Sequence, residues 1–519
     1  MAMGFEHSSL AQHYHERTKY APETLAQQAR GLDWSRQPEP FKTYPLGKVF
    51  PLKPFFRQGE TAAERYWQRL SRLLYCTYGV TAVVPYPDRP FLMRAAPSAG
   101  GLYPAEVYVI TRTDRLIPAG IYNYQVKDHA LVQVWQSYHW SGLQDACLWH
   151  PALEATEVAL IVTAVFYRSA WRYGDRAYRR ICLDIGHLLG NVELAASIND
   201  FRSHLIGGFV DSQINDLLYL DSAQEAVLGV VVLADLLQVS QNLSAFPAAL
   251  ASTVCYDYGA IPDGDLLAAC HQGSALTNTD IIYGMSKVEE TTVPTLNSGG
   301  ALPNAAPDDK YNFPFGLRVS LPQTVLNWDT GLGALQQTIL QRRSTRQYSG
   351  KGITLDQLAA LLTFTYHAEA YRDQGLDEAP SFFDLSLVET FVAVTRVSDL
   401  EEGCYYYAVA NHELRQIRFK NFQEQLHFLC LNQELGRDAA VVIFHTANLA
   451  AAIARYGERA YRYLHMDAGH LGQRLNLAAT ALGLGVSGIG GFFDDQVNEV
   501  LGIPADEAVL YITTVGQAA

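Results

Sequence analysis

RYGDRAYRRICLDIGH, Arg172 to His187, is written a second time in this chain as RYGERAYRYLHMDAGH, Arg455 to His470. The offset is 455 − 172 = 283 residues, and it holds far to either side. It carries Gly120 of GIYNYQVKDHAL onto Gly403 of GCYYYAVANHEL, Gly207 of IGGFVDSQIN onto Gly490 of IGGFFDDQVN, and Pro97 onto Pro380. A solenoid repeat is far shorter, so one constant spacing of this length predicts two copies of a whole domain. The expected boundaries are 1–237 for the first copy, 238–330 for an irregular connector and 331–519 for the second copy. The connector holds PTLNSGGALPNAAPDDKYNFP, rich in Pro, Gly, Asn and Asp. A connector of that length lets the copies fold back on each other as an internal version of a two-fold dimer, and such a chain can be a monomer.

The bulk composition agrees. A chain of 519 residues is too long for one ordinary core, and 49% apolar with 18% charged residues is a globular balance. The formal charge of −14 opposes a broad nucleic-acid or anionic-membrane surface, because both need a positive field. Seven cysteines without a C-x-x-C pair give neither a disulfide framework nor a zinc pattern. The first residues lack the apolar core of a secretion signal, and no window has the uninterrupted apolar run of a membrane helix, so a cytoplasmic location is the expectation.

Within each copy the pattern is mixed. TLDQLAALLTFTYH opens with Thr354 and Gln357 at capping-box spacing and continues as an apolar helix. LVETFVAVT, AAVVIFHTA and AVLYITTVG read as strands, with a long helical region, about 450–484, between the last two. Strands and helices do not alternate regularly, so the fold class is α+β, two tandem domains forming an intrachain pseudo-dimer.

The copies differ where chemistry is concentrated. QRRSTRQYSG, Gln341 to Gly350, gathers three arginines and four hydroxyl groups. Arg342, Ser344 and Arg346 alternate, so in an extended segment they leave one face together, two guanidinium forks and a hydroxyl suited to an anion. The corresponding stretch of the first copy, KPFFRQGE, Lys53 to Glu60, lacks this pattern. The first copy instead has RAAPSAGGLYPAEVYV, from Arg94, where small residues let backbone amides approach a planar ligand. The second copy keeps Pro380 and Ser381 there but puts Phe382, Phe383 and Asp384 in place of Ala99, Gly100 and Gly101.

In GLGVSGIGGF, Gly483, Gly485 and Gly488 spell G-x-G-x-x-G, but the string follows a helix instead of a strand, which excludes a dinucleotide-binding turn. Gly488, Ile489, Gly490 and Gly491 are expected in a loop whose amides face an acceptor atom, or in a helix cap followed by a turn. Asp184 with His187, and Asp467 with His470, are one helical turn apart. Two ligands at that spacing are too few for a closed metal site, so no metal is expected.

Taken together, RRSTRQY, PSAGGLYP and IGGF resemble the nitroreductase superfamily of FMN enzymes, and within it the SagB/ThcOx-type dehydrogenases, some of which oxidise azoline rings in modified peptides. The resemblance covers both copies. It implies FMN in the interface between the copies, with Arg342, Ser344 and Arg346 on its phosphate and pyrimidine side and Gly490 and Gly491 facing flavin N5. Pro97, Ser98, Ala99 and Gly100 come from the opposite copy. It implies one FMN per chain, because the mirror cleft lacks the arginines and carries Phe382 and Phe383. Two departures stand out. Many relatives carry a basic residue near the C-terminus, where this chain ends VGQAA, and Arg94 could supply that charge. Azoline-oxidising relatives have a Lys-Tyr pair where this chain has Arg172-Tyr173 and Arg455-Tyr456, and guanidinium does not act as a base near neutral pH.

The expected function is an FMN-dependent oxidoreductase acting on a small heterocycle, a nitro or quinone compound or a modified peptide, with NAD(P)H as a possible donor. Tyr173 is the expected substrate-facing hydroxyl and Arg172 the group that orients an anion. The competing expectation is a flavin-free scaffold in a biosynthetic complex.

Overall fold

The computed structural model describes residues 8–28, 31–57, 61–87, 90–112, 117–278 and 309–519. Each copy builds a seven-stranded sheet, and every strand pairing in both is antiparallel. In the first sheet the spatial order is Val49–Pro51, Ala130–Gln136, Gly120–Gln125, Ala105–Thr111, Val158–Val165, Glu225–Asp235, Phe201–Ile206. The second repeats it with Arg318–Ser320, Glu413–Arg418, Gly403–Ala408, Glu389–Val394, Val441–Asn448, Glu507–Gly516 and Gly485–Ile489.

Both faces of each sheet are covered, and strand alternation sorts the side chains between them. Val107 and Val109 enter one core while Tyr108 and Ile110 enter another. In the second copy Val392 and Val394 share that first core, and Phe391 and Ala393 enter a third. The first core therefore runs through both copies, which makes them a pseudo-dimer with a common interior.

At its centre lie the helices Ala177–Ile198 and Ala460–Ala481, related by the 283-residue offset and buried almost throughout. The helical stretch Phe166–Ile198 is long and apolar enough to cross a bilayer, but 89% of its apolar window is buried inside the molecule. Glycines let the two helices touch at their crossing. A Cβ on Gly186 would overlap the carbonyl oxygen of Met466, and one on Gly469 would overlap that of Leu183.

Reciprocal ion pairs lock the copies. Arg176, which caps the first helix, and Arg179 within it hold Asp494 of the second copy at 2.8 and 2.7 Å. Arg459 and Arg462 hold Asp211 of the first copy at 2.6 and 2.7 Å. Each aspartate opens a helix, Asp494–Leu501 or Asp211–Leu217, just after an IGGF sequence, so each copy pins the glycine loop of the other. All six groups are buried, and their mutual pairing is what makes that burial tolerable.

The capping box at Thr354 and Gln357 is present, and Thr61 with Glu64 forms its counterpart on helix Ala62–Tyr78. The region 238–330 is less irregular than its composition suggests. It contains helix Leu266–Gly273 and strand Arg318–Ser320, which joins the second sheet as Val49–Pro51 joins the first. Helix Leu266–Gly273 repeats helix Leu10–Arg17 in its contacts: Arg462 donates to His271 O as Arg179 donates to His15 O. The second copy thus begins earlier than position 331. Residues 294–308 of the Pro- and Gly-rich stretch lie outside the described residues.

Candidate active site

The RRSTR segment follows helix Gly333–Gln341 and runs beside the edge strand Gly485–Ile489. Thr345 N donates to Val486 O at 2.8 Å and Val486 N to Thr345 Oγ1 at 2.9 Å. Gly485 permits this approach, since a Cβ there would come within 2.9 Å of the Thr345 side chain. Arg342, 2% exposed, crosses to the first copy, where Nε donates to Ala95 O at 3.0 Å and Nη2 to Arg94 O at 3.3 Å. Its Nη1 is buried with no protein partner, and burial pushes its pKa down to about 10. The alternation expected of two equal guanidinium forks is therefore corrected. Arg342 spends two nitrogens on backbone carbonyls and keeps one free, while Arg346 is exposed and Ser344 half-buried. Arg343 turns the other way and reaches Thr81 O at 2.9 Å.

Those carbonyls lead directly into Pro97, Ser98, Ala99 and Gly100. Ser98 Oγ donates to Asp184 at 2.5 Å, Ala99 N donates to the same carboxylate at 3.1 Å, and Tyr103 N donates to Ser98 Oγ at 2.8 Å. The Ser98 hydroxyl is thus committed to shaping its own loop. Burial raises the pKa of Asp184 to about 7 against the pull of these bonds and of Arg180. Gly100 has φ +64°, a left-handed conformation, and a Cβ there would stand 2.7 Å from the Tyr173 hydroxyl.

Tyr173 therefore leans over the small-residue loop, and its pKa is raised by burial despite Arg180 and Arg172. Arg172 is exposed at the rim. The Arg180 guanidinium lies 3.8 Å from the centre of the Tyr173 ring. On its other side it meets the glycine loop, where a Cβ on Gly490 would be 3.3 Å from Arg180 Nε and one on Gly491 3.5 Å from its Nη2.

Gly488 and Ile489 are not in that loop. They end the edge strand, pairing with Thr513 and Ile512, because backbone hydrogen bonds to strand Glu507–Gly516 hold them. Ile489 is core, and Gly488 leaves room for the Tyr511 hydroxyl, which lies 3.2 Å from His187 Nε2 across the copies. His187 Nδ1 donates to Leu183 O at 2.8 Å, so Nε2 is the acceptor. Arg94 also departs from expectation. Its guanidinium is enclosed by the rings of Phe41, Tyr78 and Tyr103, with Nη2 on Pro40 O at 2.5 Å.

The mirror cleft is filled. Phe382 stacks on His470 with centroids 4.1 Å apart, and Phe383 on Tyr463 at 4.4 Å. A Cβ on Gly207, the partner of Gly490, would be 2.6 Å from Phe383. Tyr456 donates to Asp384 at 2.9 Å and Arg455 pairs with the same carboxylate at 2.9 Å, so the counterparts of Arg172 and Tyr173 are tied down.

The equivalent place in the other half of the interface, not filled by rings, brings the Pro97–Gly100 and Gly490–Gly491 segments beside two buried guanidinium groups, Arg342 and Arg180, each with an Nη1 that has no protein acceptor among the described residues. It suits a flat, anionic ligand. Sequence reasoning missed Arg180. The signal was available in the repeat itself, where Arg180 aligns with Tyr463.

The profile of the nitroreductase family matches residues 68–234 and, a second time, residues 339–517. The chain belongs to the nitroreductase family. Both matches fall on the two copies, so this is a tandem of nitroreductase domains. An Anabaena variabilis crystal structure, assigned as a nitroreductase, has a TM-score of 0.91 at 56% identity, covering 99% of this chain and 100% of that one. The nitroreductase-assigned protein MJ1384 of Methanocaldococcus jannaschii is 33% identical over 169 residues, 33% of this chain and 84% of MJ1384. The trifolitoxin-processing protein TfxB of Rhizobium leguminosarum bv. trifolii is 31% identical over 166 residues, 31% of this chain and 44% of TfxB. The match therefore spans less than half of TfxB.

Proposed function

We propose that the chain is an FMN-dependent oxidoreductase that holds one flavin in the open cleft between its copies. The observation that carries this reading is the buried Nη1 of Arg342, an unpaired cationic donor beside the Pro97–Gly100 loop. An unpaired guanidinium is costly to bury, and an anionic ligand relieves that cost. Arg342, Ser344 and Arg346 would hold the phosphate and pyrimidine side. Ala99 and Gly100 would leave a face for the ring system, and the Gly490 and Gly491 backbone would border its redox edge. When bound, the flavin supplies hydride chemistry, and the protein supplies orientation and electrostatics.

The chain's own residues set what reaches the cofactor. Tyr173, held over Gly100 and against Arg180, presents a protonated hydroxyl at neutral pH, and burial raises its pKa further above the ordinary value. Arg172 lies exposed where a substrate would approach. The substrate class that fits is a small heterocycle or a nitro or quinone compound. A modified peptide is the class suggested by the similarity to TfxB, but Arg172 cannot do the base work that azoline oxidation asks of a lysine. We assign the chain as a monomer whose dimer-like interface is internal.

The test is flavin content. The purified protein is expected to be yellow, with one FMN per chain and a spectrum bleached by NAD(P)H or dithionite. The double variant Arg342→Met/Arg346→Met should lose flavin while keeping its circular dichroism spectrum. A colourless protein that takes up no added FMN overturns the reading in favour of a scaffold.

A further inference from the structure

Three arginines at the start of the first central helix have different fates. Arg176 and Arg179 are neutralised by Asp494. Arg180, 5% exposed, has no ion pair among the described residues, and its Nη1 is buried without a hydrogen-bond partner. It faces the cleft, between the Tyr173 ring and the Gly490–Gly491 loop. Tyr20, in the link between helices Leu10–Arg17 and Pro22–Gln28, closes the same corner. Its ring centre is 5.8 Å from the Arg180 guanidinium and its edge lies near Gly491, where a Cβ would be 3.9 Å from Tyr20 Cε2. Tyr20 N is fixed by Asp494 at 2.9 Å.

The mirror cleft serves as an internal control. Arg180 becomes Tyr463, and Tyr20 becomes Leu276, whose N donates to Asp211 at 2.9 Å as Tyr20 N donates to Asp494. Both polar groups therefore occur only where the cleft is open. Arg180 is also remote from the RRSTR segment. Thr345 docks at Val486, whereas Arg180 abuts Gly490 and Gly491, four or five positions further on, roughly 13 Å along an extended chain.

We propose that Arg180, with the Tyr20 hydroxyl beside it, anchors a carboxylate on the substrate at the glycine end of the open cleft. One guanidinium with a free Nη1 and one phenolic donor suit a monoanion better than a dianionic phosphate. Burial alone would raise the Tyr20 pKa, but Arg180, Arg176 and Arg179 outweigh it and hold the phenol below its ordinary value, which makes it a stronger hydrogen-bond donor. This selectivity deepens the flavin-enzyme reading and rests on it for the identity of the ligand as substrate.

The experiment compares 4-nitrobenzoate with 4-nitrobenzamide, alike in shape and differing in charge, as substrates of the purified holoprotein and as ligands by calorimetry. The acid is expected to bind at least tenfold more tightly. Arg180→Met should abolish that preference and Tyr20→Phe should reduce it several-fold, both read as the ratio of the KM for the acid to the KM for the amide. Should Arg180→Met fail to fold, Arg180→Lys keeps the charge but not the planar fork, and a several-fold fall in the acid-to-amide preference is expected. Equal binding of the two probes, or a preference untouched by all three variants, overturns the proposal even if the protein is yellow and reduces both compounds. Calorimetric discrimination that depends on Arg180 in a protein unable to bind FMN would keep the anion subsite and remove the flavin reading instead.

Discussion

Gly186 and Gly469 are stacked across the crossing of the two central helices. The Cβ that Gly186 lacks would stand 2.9 Å from the Gly469 Cα, and the one Gly469 lacks would stand 3.0 Å from the Gly186 Cα. The two glycines occupy equivalent places in the repeat, so they mark the pseudo-two-fold axis. Because the clashing atoms are backbone, neither helix can relieve an added methyl by turning a side chain. Gly186→Ala or Gly469→Ala is expected to cost about 1–3 kcal/mol and to loosen flavin retention, read by urea denaturation and flavin fluorescence.

The reciprocal aspartates give a paired prediction. Asp211→Ala strands Arg459 and Arg462, and Asp494→Ala strands Arg176 and Arg179, all buried. Each change should cost about 3–5 kcal/mol, measured by chemical denaturation. Asp494→Ala should in addition weaken binding of a carboxylate probe, since Asp494 also fixes Tyr20 N.

Asp184 predicts a pH effect. Burial lifts its pKa from 3.8 to about 7, so the folded state holds this proton more tightly than the unfolded chain. Its contribution to stability is full below about pH 4 and is lost as pH rises through about 7. Asp184→Asn should therefore gain stability relative to the parent across that window, by at most ~1.4 kcal/mol per pH unit. Denaturation at pH 5 and pH 8 checks the sign, and parallel profiles would contradict it. Asp467, bonded to the Phe383 and Asp384 amides, should behave alike.

Emptying the mirror cleft should not create a second site. Phe382→Ala with Phe383→Gly removes the stacked rings but supplies no arginine, because KPFFRQGE stands where RRSTR would be needed. Stability should fall by about 3–5 kcal/mol for the buried Phe383 and by less for the half-buried Phe382, with the flavin content unchanged from the parent. Two flavins per chain in this variant would contradict the role given to the arginines.

The tandem architecture was legible because a duplicated sequence repeats its glycines and prolines at one spacing, and Gly403 and Pro380 lie where that spacing puts them. Strand alternation was equally visible at residues such as Val392 and Val394. The arrangement of the cleft was less so. Arg342 was recognisable as an anion-seeking residue, but the carbonyls of Arg94 and Ala95 that occupy two of its nitrogens leave no trace in side-chain identity. Gly488 and Ile489 looked like loop because glycine is a poor strand former, yet pairing with Thr513 and Ile512 overrides that preference. Helix Leu266–Gly273 was hidden because its spacing from Leu10–Arg17 is 266 − 10 = 256 instead of 283, the intervening segments having unequal lengths. Tyr20 lies 180 − 20 = 160 residues from Arg180, and only the folded chain brings them together.

The shared core through both nitroreductase domains has a consequence for assembly. Two subunits of an ordinary dimer part on dilution, whereas halves on one backbone meet at an effective molarity fixed by the segment joining them. The cleft should persist at nanomolar protein, and each half remains free to diverge by substitutions that a symmetric dimer would have to suffer twice.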